Sequence, residues 1–417
     1  MVCPDTDVLV AGGGPAGFAL AAELARRGVR VALAERNLGK PWLASYGCWE
    51  PTWLPGVADD AVLRRFDRPT VTFQDGSQKG LTCSYLRLDT ARLQANLERR
   101  ATEAGVQLLH AEVERLDQAE TQPFAETSDS AGRTSRYSAR LIVDCRGRAE
   151  AAPTDGPRAK AFQSAFGAWF EVDDLPPELR GMCLMDLRST LPHERDVLAQ
   201  PSFLYAMQEK PGVLFAQETV LASRRAAPFR VLEMRLRRRL DELGVRLRRE
   251  VRRERCLIPL GANLPDEASS RLAFGAAAGM VQPASGYSLA RVLRLAPSVA
   301  AAITTVLDGT AGDAQPAIEP AQRAIWPDEA RKSWALYQLG LESLLDRDPA
   351  HDNAFWRAFF DLPDETVAHF LDGGLPRPAL VGALWRVFLR VPLRLRFDLA
   401  VSGLRFLSRP STQRGVS

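Results

Sequence analysis

Hydrophobic positions near the start of the chain come in short bursts bounded by glycine. Asp7 to Ala11 leads an apolar run, glycines cluster at 12–17, Leu20, Leu24 and Ala25 recur at helical spacing up to Gly28, and Val29 to Ala34 is apolar again. Short apolar runs bounded by turn residues predict buried strands, and the periodic segment between them predicts a helix. A second helix is predicted from about Thr90 to Ala104, with Asp89 as its N-cap and Gly105 past its end. A strand over 106–113 follows. The polar stretch Gln118 to Ser138 has little periodicity and predicts a surface hairpin or loop feeding a strand over Ala139 to Val143.

From Ala161 the period changes to two. Phe166, Ala168, Phe170 and Val172 share one face, and Ser202, Leu204 and Ala206 alternate with Phe203, Tyr205 and Met207. This predicts an antiparallel sheet whose clearest hairpin joins 202–207 to 213–222 through Gln208-Glu209-Lys210-Pro211-Gly212. A helix over 229–243 and a strand over 245–251 come next. The chain then returns to the first unit near Ile258, and its last hundred residues read as helical. The expected fold class is α/β, with a Rossmann-type nucleotide-binding domain (1–160 and 255–310) interleaved with an antiparallel-sheet domain (161–254) and followed by a helical region (311–417).

Composition narrows this by exclusion. The 417 residues allow two or three domains. With 46% hydrophobic and 25% charged residues, collagen-like, low-complexity and disordered chains are excluded. A net charge of +3 creates no field that would favour nucleic acid. The basic run Arg235 to Arg255 is interleaved with Asp241, Glu242, Glu250 and Glu254, lacks stacking aromatics and predicts a solvated face. Six scattered cysteines, Cys3 among them, and four histidines away from them predict no metal site and no disulfide framework. Neither a signal or transit pattern nor an uncharged apolar window of 18 residues is present, so the expectation is a cytoplasmic protein attached at most to a membrane surface.

The glycine cluster carries the first chemistry. Gly12 permits a tight turn, Gly14 lets backbone N–H groups approach a pyrophosphate, and Gly17 lets the helix close on the strand. Pro15 and Ala16 open that helix, and Glu35, followed by Arg36, ends the second strand where a carboxylate can accept ribose hydroxyls. This spacing does not separate FAD from NAD. Asp144-Cys145-Arg146-Gly147 resembles the "DATG" element of FAD-dependent monooxygenase-like proteins. The segment from Gly275 through Gly279, Met280, Val281 and Gly286 to Tyr287 resembles their "GDAAH…P…G" element, with Ala276 in place of the usual Asp. Arg87, in Tyr85-Leu86-Arg87-Leu88-Asp89, joins this cofactor set.

Together with these pieces, several separated motifs resemble those of the plant and bacterial FAD-dependent lycopene cyclases. Asn37 to Trp49 is similar to "PN…W…NYGVW", Met185-Asp186-Leu187-Arg188 to "MDWR", Pro201 to Met207 to "PTFLYAM", Phe215-Ala216-Gln217-Glu218-Thr219 to "FLEET", and Gly279 to Pro283 to "GMVHP". Gln217 stands where that family has the first Glu of its pair, Gln282 where it has His, and Leu187 where it has Trp.

The resemblance implies an FAD-binding domain of the aromatic-hydroxylase-like kind, reduced FAD as the active form and NAD(P)H as electron donor. It implies lycopene or another linear carotene as substrate, cyclised to gamma-carotene and/or beta-carotene without net redox change. Alternation puts Glu218 on one face with Leu214, Ala216 and Val220. Apolar burial and a nearby anion both favour a neutral carboxyl, so Glu218 is expected to be the general acid. Asp186, beside Arg188, is expected to take either a direct role or a structural ion pair. Trp49, Phe203 and Tyr205 are expected to face the substrate.

Leu380 to Leu407 mixes apolar residues with Arg386, Arg390, Arg394, Arg396 and Arg405. It predicts either a helix lying on a membrane surface or one packed on the core with snorkelling arginines. A flavin monooxygenase or epoxidase, an isoprenoid reductase and a carotenoid-carrying protein remain alternatives, and the pattern leaves the oligomeric state open.

Overall fold

A computed structural model of the chain describes residues 6–117, 123–147, 159–188, 200–265, 271–310, 317–346, 348 and 351–408. Cys3 and residues 118–122 of the polar stretch lie outside them.

The glycine-bounded runs form β1 (Thr6–Ala11) and β2 (Val31–Ala34), joined by α1 (Pro15–Ala25). Their sheet also contains β8 (Gln107–Leu109), β9 (Glu112–Asp117), β10 (Phe124–Ser128), β11 (Thr134–Asp144) and β17 (Leu272–Ala273), ordered β8-β2-β1-β11-β10-β9 with β17 against β11. The β8-β2-β1-β11 pairings are parallel, and Val8, Leu9, Val10 and Ala11 are wholly buried because layers cover both faces. The polar stretch ends in the β10–β11 hairpin.

The period-two region forms the second sheet. It contains β5 (Thr70–Thr72), β6 (Gln78–Gly80), β12 (Ala161–Val172), β13 (Met182–Asp186), β14 (Phe203–Lys210), β15 (Val213–Ser223) and β16 (Leu247–Leu260), in the order β16-β12-β15-β14-β13-β5-β6. The expected boundaries at 160 and 254 cut across it. β5 and β6 come from the N-terminal part, and β16 runs on to Leu260. Three-residue strands are too short to show alternation, which is why 70–80 gave no strand signal. A third sheet, β3 (Gly47–Trp49), β7 (Tyr85–Leu88) and β4 (Val62–Phe66), is ordered β3-β7-β4.

Helices fix which face of the second sheet is closed. Leu232, Leu236 and Leu240 of α3 (Phe229–Glu242) pack on Phe166, Ala168, Leu204, Leu214, Ala216 and Val220. In the nucleotide-binding part, α2 (Thr90–Glu103), capped by the Asp89 carboxylate, and α4 (Leu289–Asp308) pack against α1. They are followed by α5 (Glu319–Ile325), α6 (Asp328–Asp346), α7 (Asp352–Phe360), α8 (Asp364–Asp372), α9 (Arg377–Arg390) and α10 (Leu393–Ser408). Among the described residues α4 alone is long and apolar enough to cross a bilayer, but Val299, Ala300 and Ile303 are wholly buried in the core.

Candidate active site

The turn after β1 is shaped by close backbone approach. Gly12 has φ +109°, and a Cβ there would stand 2.8 Å from the carbonyl oxygen of Cys145. At Gly17 a Cβ would stand 1.9 Å from the Gly12 oxygen, so α1 closes on the turn only with glycine there. Gly14, in contrast, faces open space, and α1 begins with Pro15 and no side-chain cap. The first-turn N–H groups, Ala16 included, are therefore free to meet an anion.

Glu35 is fixed beside the turn. Its two oxygens accept from Gly13 N at 2.8 Å and Asn37 N at 2.7 Å. Gly275 closes the cleft from the other side: its φ is +73°, and a Cβ would meet that of Ala16 at 2.6 Å. Gly279 and Gly286 also have positive φ, and Gly275 N donates to Met280 Sδ. Asp144 is held by Arg146, Arg36 pairs with Glu112 at the rim, and Gly147 is exposed. An uncapped helix N-terminus, an anchored acid and a glycine wall fit a dinucleotide.

Val281 and Tyr287 lead from this cleft into a cavity of about 760 Å³. Its floor is the face of the second sheet away from α3, where one row of the register runs Glu254, Gly167, Gln217, Tyr205 across β16, β12, β15 and β14. Phe203 and Thr219 lie on the same face. The Tyr85 hydroxyl is 3.1 Å from those of both Tyr205 and Tyr287. Burial pushes Tyr205 up to about 12 and Tyr85 and Tyr287 well above the usual phenol range. Cys256, also on the wall, is raised to about 12 by burial first and the Glu254 charge second. These groups are neutral at physiological pH.

Arg87 lines the cavity with its charge already met. Its Nε donates to Glu209 at 2.7 Å, Trp169 donates to the other Glu209 oxygen, and the guanidinium lies 4.7 Å from the Phe215 ring centre. Glu254 differs. It accepts from Ser45 N at 2.9 Å through Oε1, while its buried Oε2 has no partner. At the far end Val381 and Trp385 of α9 both line the cavity and reach solvent, which makes that end a mouth.

A family model described as "Lycopene cyclase protein" matches residues 7–397. A lycopene beta cyclase from Synechococcus elongatus is 35% identical over 400 residues, covering 94% of this chain and 95% of that protein. A chromoplastic capsanthin/capsorubin synthase from Citrus sinensis is 31% identical, covering 94% of this chain and 79% of that protein. Among solved structures, a geranylgeranyl bacteriochlorophyll reductase-like protein from Thermoplasma acidophilum superposes with a TM-score of 0.67 at 14% identity, over 94% of this chain and 99% of that one. That last likeness is one of fold.

Three expected site residues lie elsewhere. Glu218 does share a face with Leu214, Ala216 and Val220, but that face is under α3, not on the cavity. Its carboxylate accepts from Arg239 Nε and Nη2, both at 2.9 Å, and from Ser202 Oγ at 2.6 Å. Both oxygens are thus taken by donors on the α3 side of the sheet, away from the cavity. Asp186 is on the same side, chelated by Arg188. Trp49 is 1% exposed and stands behind the wall, edge-on to Tyr85 at 5.4 Å.

The basic run is likewise not a solvated face throughout, because Arg235, Arg239 and Glu254 are all buried. Glu254 was missed for that reason. The two-residue spacing of Glu254, Cys256 and Ile258 along one strand was the available signal. Removing one partner of a buried ion pair costs about 3–5 kcal/mol. Glu218→Ala should therefore lower folding stability by about that amount in chemical denaturation, and a variant as stable as the parent would contradict the structural role.

Proposed function

Because the chain belongs to the lycopene cyclase family, we propose that it closes a ring at one or both ends of linear lycopene, giving gamma-carotene or beta-carotene by adding and removing protons without net redox change. The observation that carries this reading is the cavity: an apolar space of about 760 Å³ that begins at a dinucleotide cleft and ends at exposed apolar helices. Such a volume is in the range of pockets that enclose elongated organic ligands.

FAD fits the cleft. Gly12, Gly14, Ala16, Gly17 and Glu35 would hold its ADP half, and Gly275, Gly279 and Met280 to Tyr287 its flavin half. When bound and reduced, with NAD(P)H as donor, it supplies negative charge beside the cavity. The chain's own residues do the rest. Apolar walls exclude water that would trap a carbocation. Phe203, Tyr85 and Tyr205 offer aromatic faces, each able to stabilise a nearby cation by about 0.5–2 kcal/mol. Because burial keeps the phenols and Cys256 neutral, no phenolate or thiolate competes for that cation.

The mouth supports delivery from a membrane on the cytoplasmic side. Leu393 is 78% exposed and Phe397 70%, beside Trp385, Leu389 and Leu404. Arg386, Arg394 and Arg405 are exposed nearby, the composition of a helix pair seated among lipid headgroups.

Expression in a bacterium that accumulates lycopene should yield a pigment of unchanged mass and altered chromatographic retention, the retention giving one ring or two. A product gaining oxygen would favour a monooxygenase, one gaining two hydrogens a reductase, and either would overturn the cyclase reading. Full burial of a large apolar side chain is worth about 1.5–3 kcal/mol. The double variant Leu393→Ser with Phe397→Ser should accordingly float with anionic phospholipid vesicles at least about tenfold less than the parent; equal flotation would contradict membrane docking.

A further inference from the structure

Glu254 is the one carboxylate among the described residues lining the cavity. It is 7% exposed, and one oxygen is spoken for by Ser45 N. The other is buried and unpartnered, although a buried carboxylate oxygen left unsatisfied costs free energy that a fold normally avoids. No cation pairs with it among the described residues. The carboxylates of Glu218, Asp186 and Glu209, by comparison, are each met by an arginine.

Register places Glu254 in a row of side chains on the cavity's floor. Glu254 and Gln217 stand in the same row on either side of Gly167, over which the Phe215 ring packs. A Cβ at 167 would meet the Phe215 ring at 3.1 Å and Gln217 Cβ at 3.3 Å. Tyr205 continues the row, and the Glu254 charge acts on Tyr46, Cys256 and Tyr205, which places the carboxylate among neutral groups in a dry pocket.

Resting on the cyclase reading, we propose that Glu254 is the acid–base residue of the reaction. Its carboxyl O–H breaks as a C–H bond forms at the terminal double bond of the polyene, and the π electron pair of that bond is consumed. The tertiary cation left behind is attacked by a neighbouring double bond, which closes the ring. The Glu254 carboxylate then accepts a ring proton, the C–H pair becoming the ring double bond. Proton count and formula are unchanged, and no oxidant or reductant is consumed.

The test uses purified, flavin-loaded enzyme reduced with dithionite, with lycopene in phosphatidylcholine vesicles. Gln can still accept from Ser45 N, so Glu254→Gln should keep its flavin and its thermal midpoint. General acid–base groups typically contribute 10²–10⁴-fold, and Glu254→Gln should lose at least about 100-fold in cyclisation. Glu254→Asp, which keeps a carboxyl, should run at least about tenfold faster than Glu254→Gln. Parent activity with Glu254→Gln within about threefold of it, or Glu254→Asp no faster than Glu254→Gln, overturns this assignment and leaves the cyclase reading intact. A parent enzyme that makes no cyclic product overturns the cyclase reading itself, and the assignment with it.

Discussion

Alternation along β15 sends Leu214, Ala216, Glu218 and Val220 toward α3 and Gln217, Thr219 and Leu221 into the cavity, and the chemistry of the site depends on that division. The α3 side is a closed layer, where a carboxylate survives because Arg239 and Ser202 satisfy it. The other side faces the cavity, whose further walls come from the 281–289 segment and the C-terminal helices. One strand thus contributes a structural ion pair to one layer and the floor of a binding space to the other.

The same division sets the electrostatics. A buried ion pair is held in place by the cost of separating it and does little for net stability. A dry cavity with neutral phenols, a neutral thiol and, among the described residues, a single unpaired carboxylate is the opposite arrangement, because charge created inside it meets few competing ions and interacts strongly with what is there. Arg87 does not upset this balance, since Glu209 neutralises it. The glycines around the nucleotide cleft make a comparable contribution, since their close contacts bring the cleft's floor and wall together at the cavity's inner end.

Much of the nucleotide half was legible in the sequence because each motif residue has a steric reason to be what it is: Gly12, Gly17 and Gly275 admit no side chain where they stand. The period-two pattern likewise separated Glu218 from Gln217. What it did not contain was which of the two faces a helix covers, since alternation is symmetric until the third layer is known. Trp49 shows a related limit, because a matching motif carries no information about the side from which a ring is seen. Glu254 was concealed among arginines in a segment whose average charge suggests solvent, although its strand partners Cys256 and Ile258 face inward. β5 and β6 are too short for any pattern to show.

In the proposed reaction a polyene end is protonated inside this cavity by a solvent-exchangeable carboxyl group and later gives up one of its own hydrogens. Mass spectrometry of pigment formed by the reduced enzyme in deuterium oxide tests it directly. One deuterium per ring, in a product otherwise of lycopene's formula, is the predicted result. A cyclic product free of deuterium, or one enriched only when the nicotinamide donor carries the label, would contradict it.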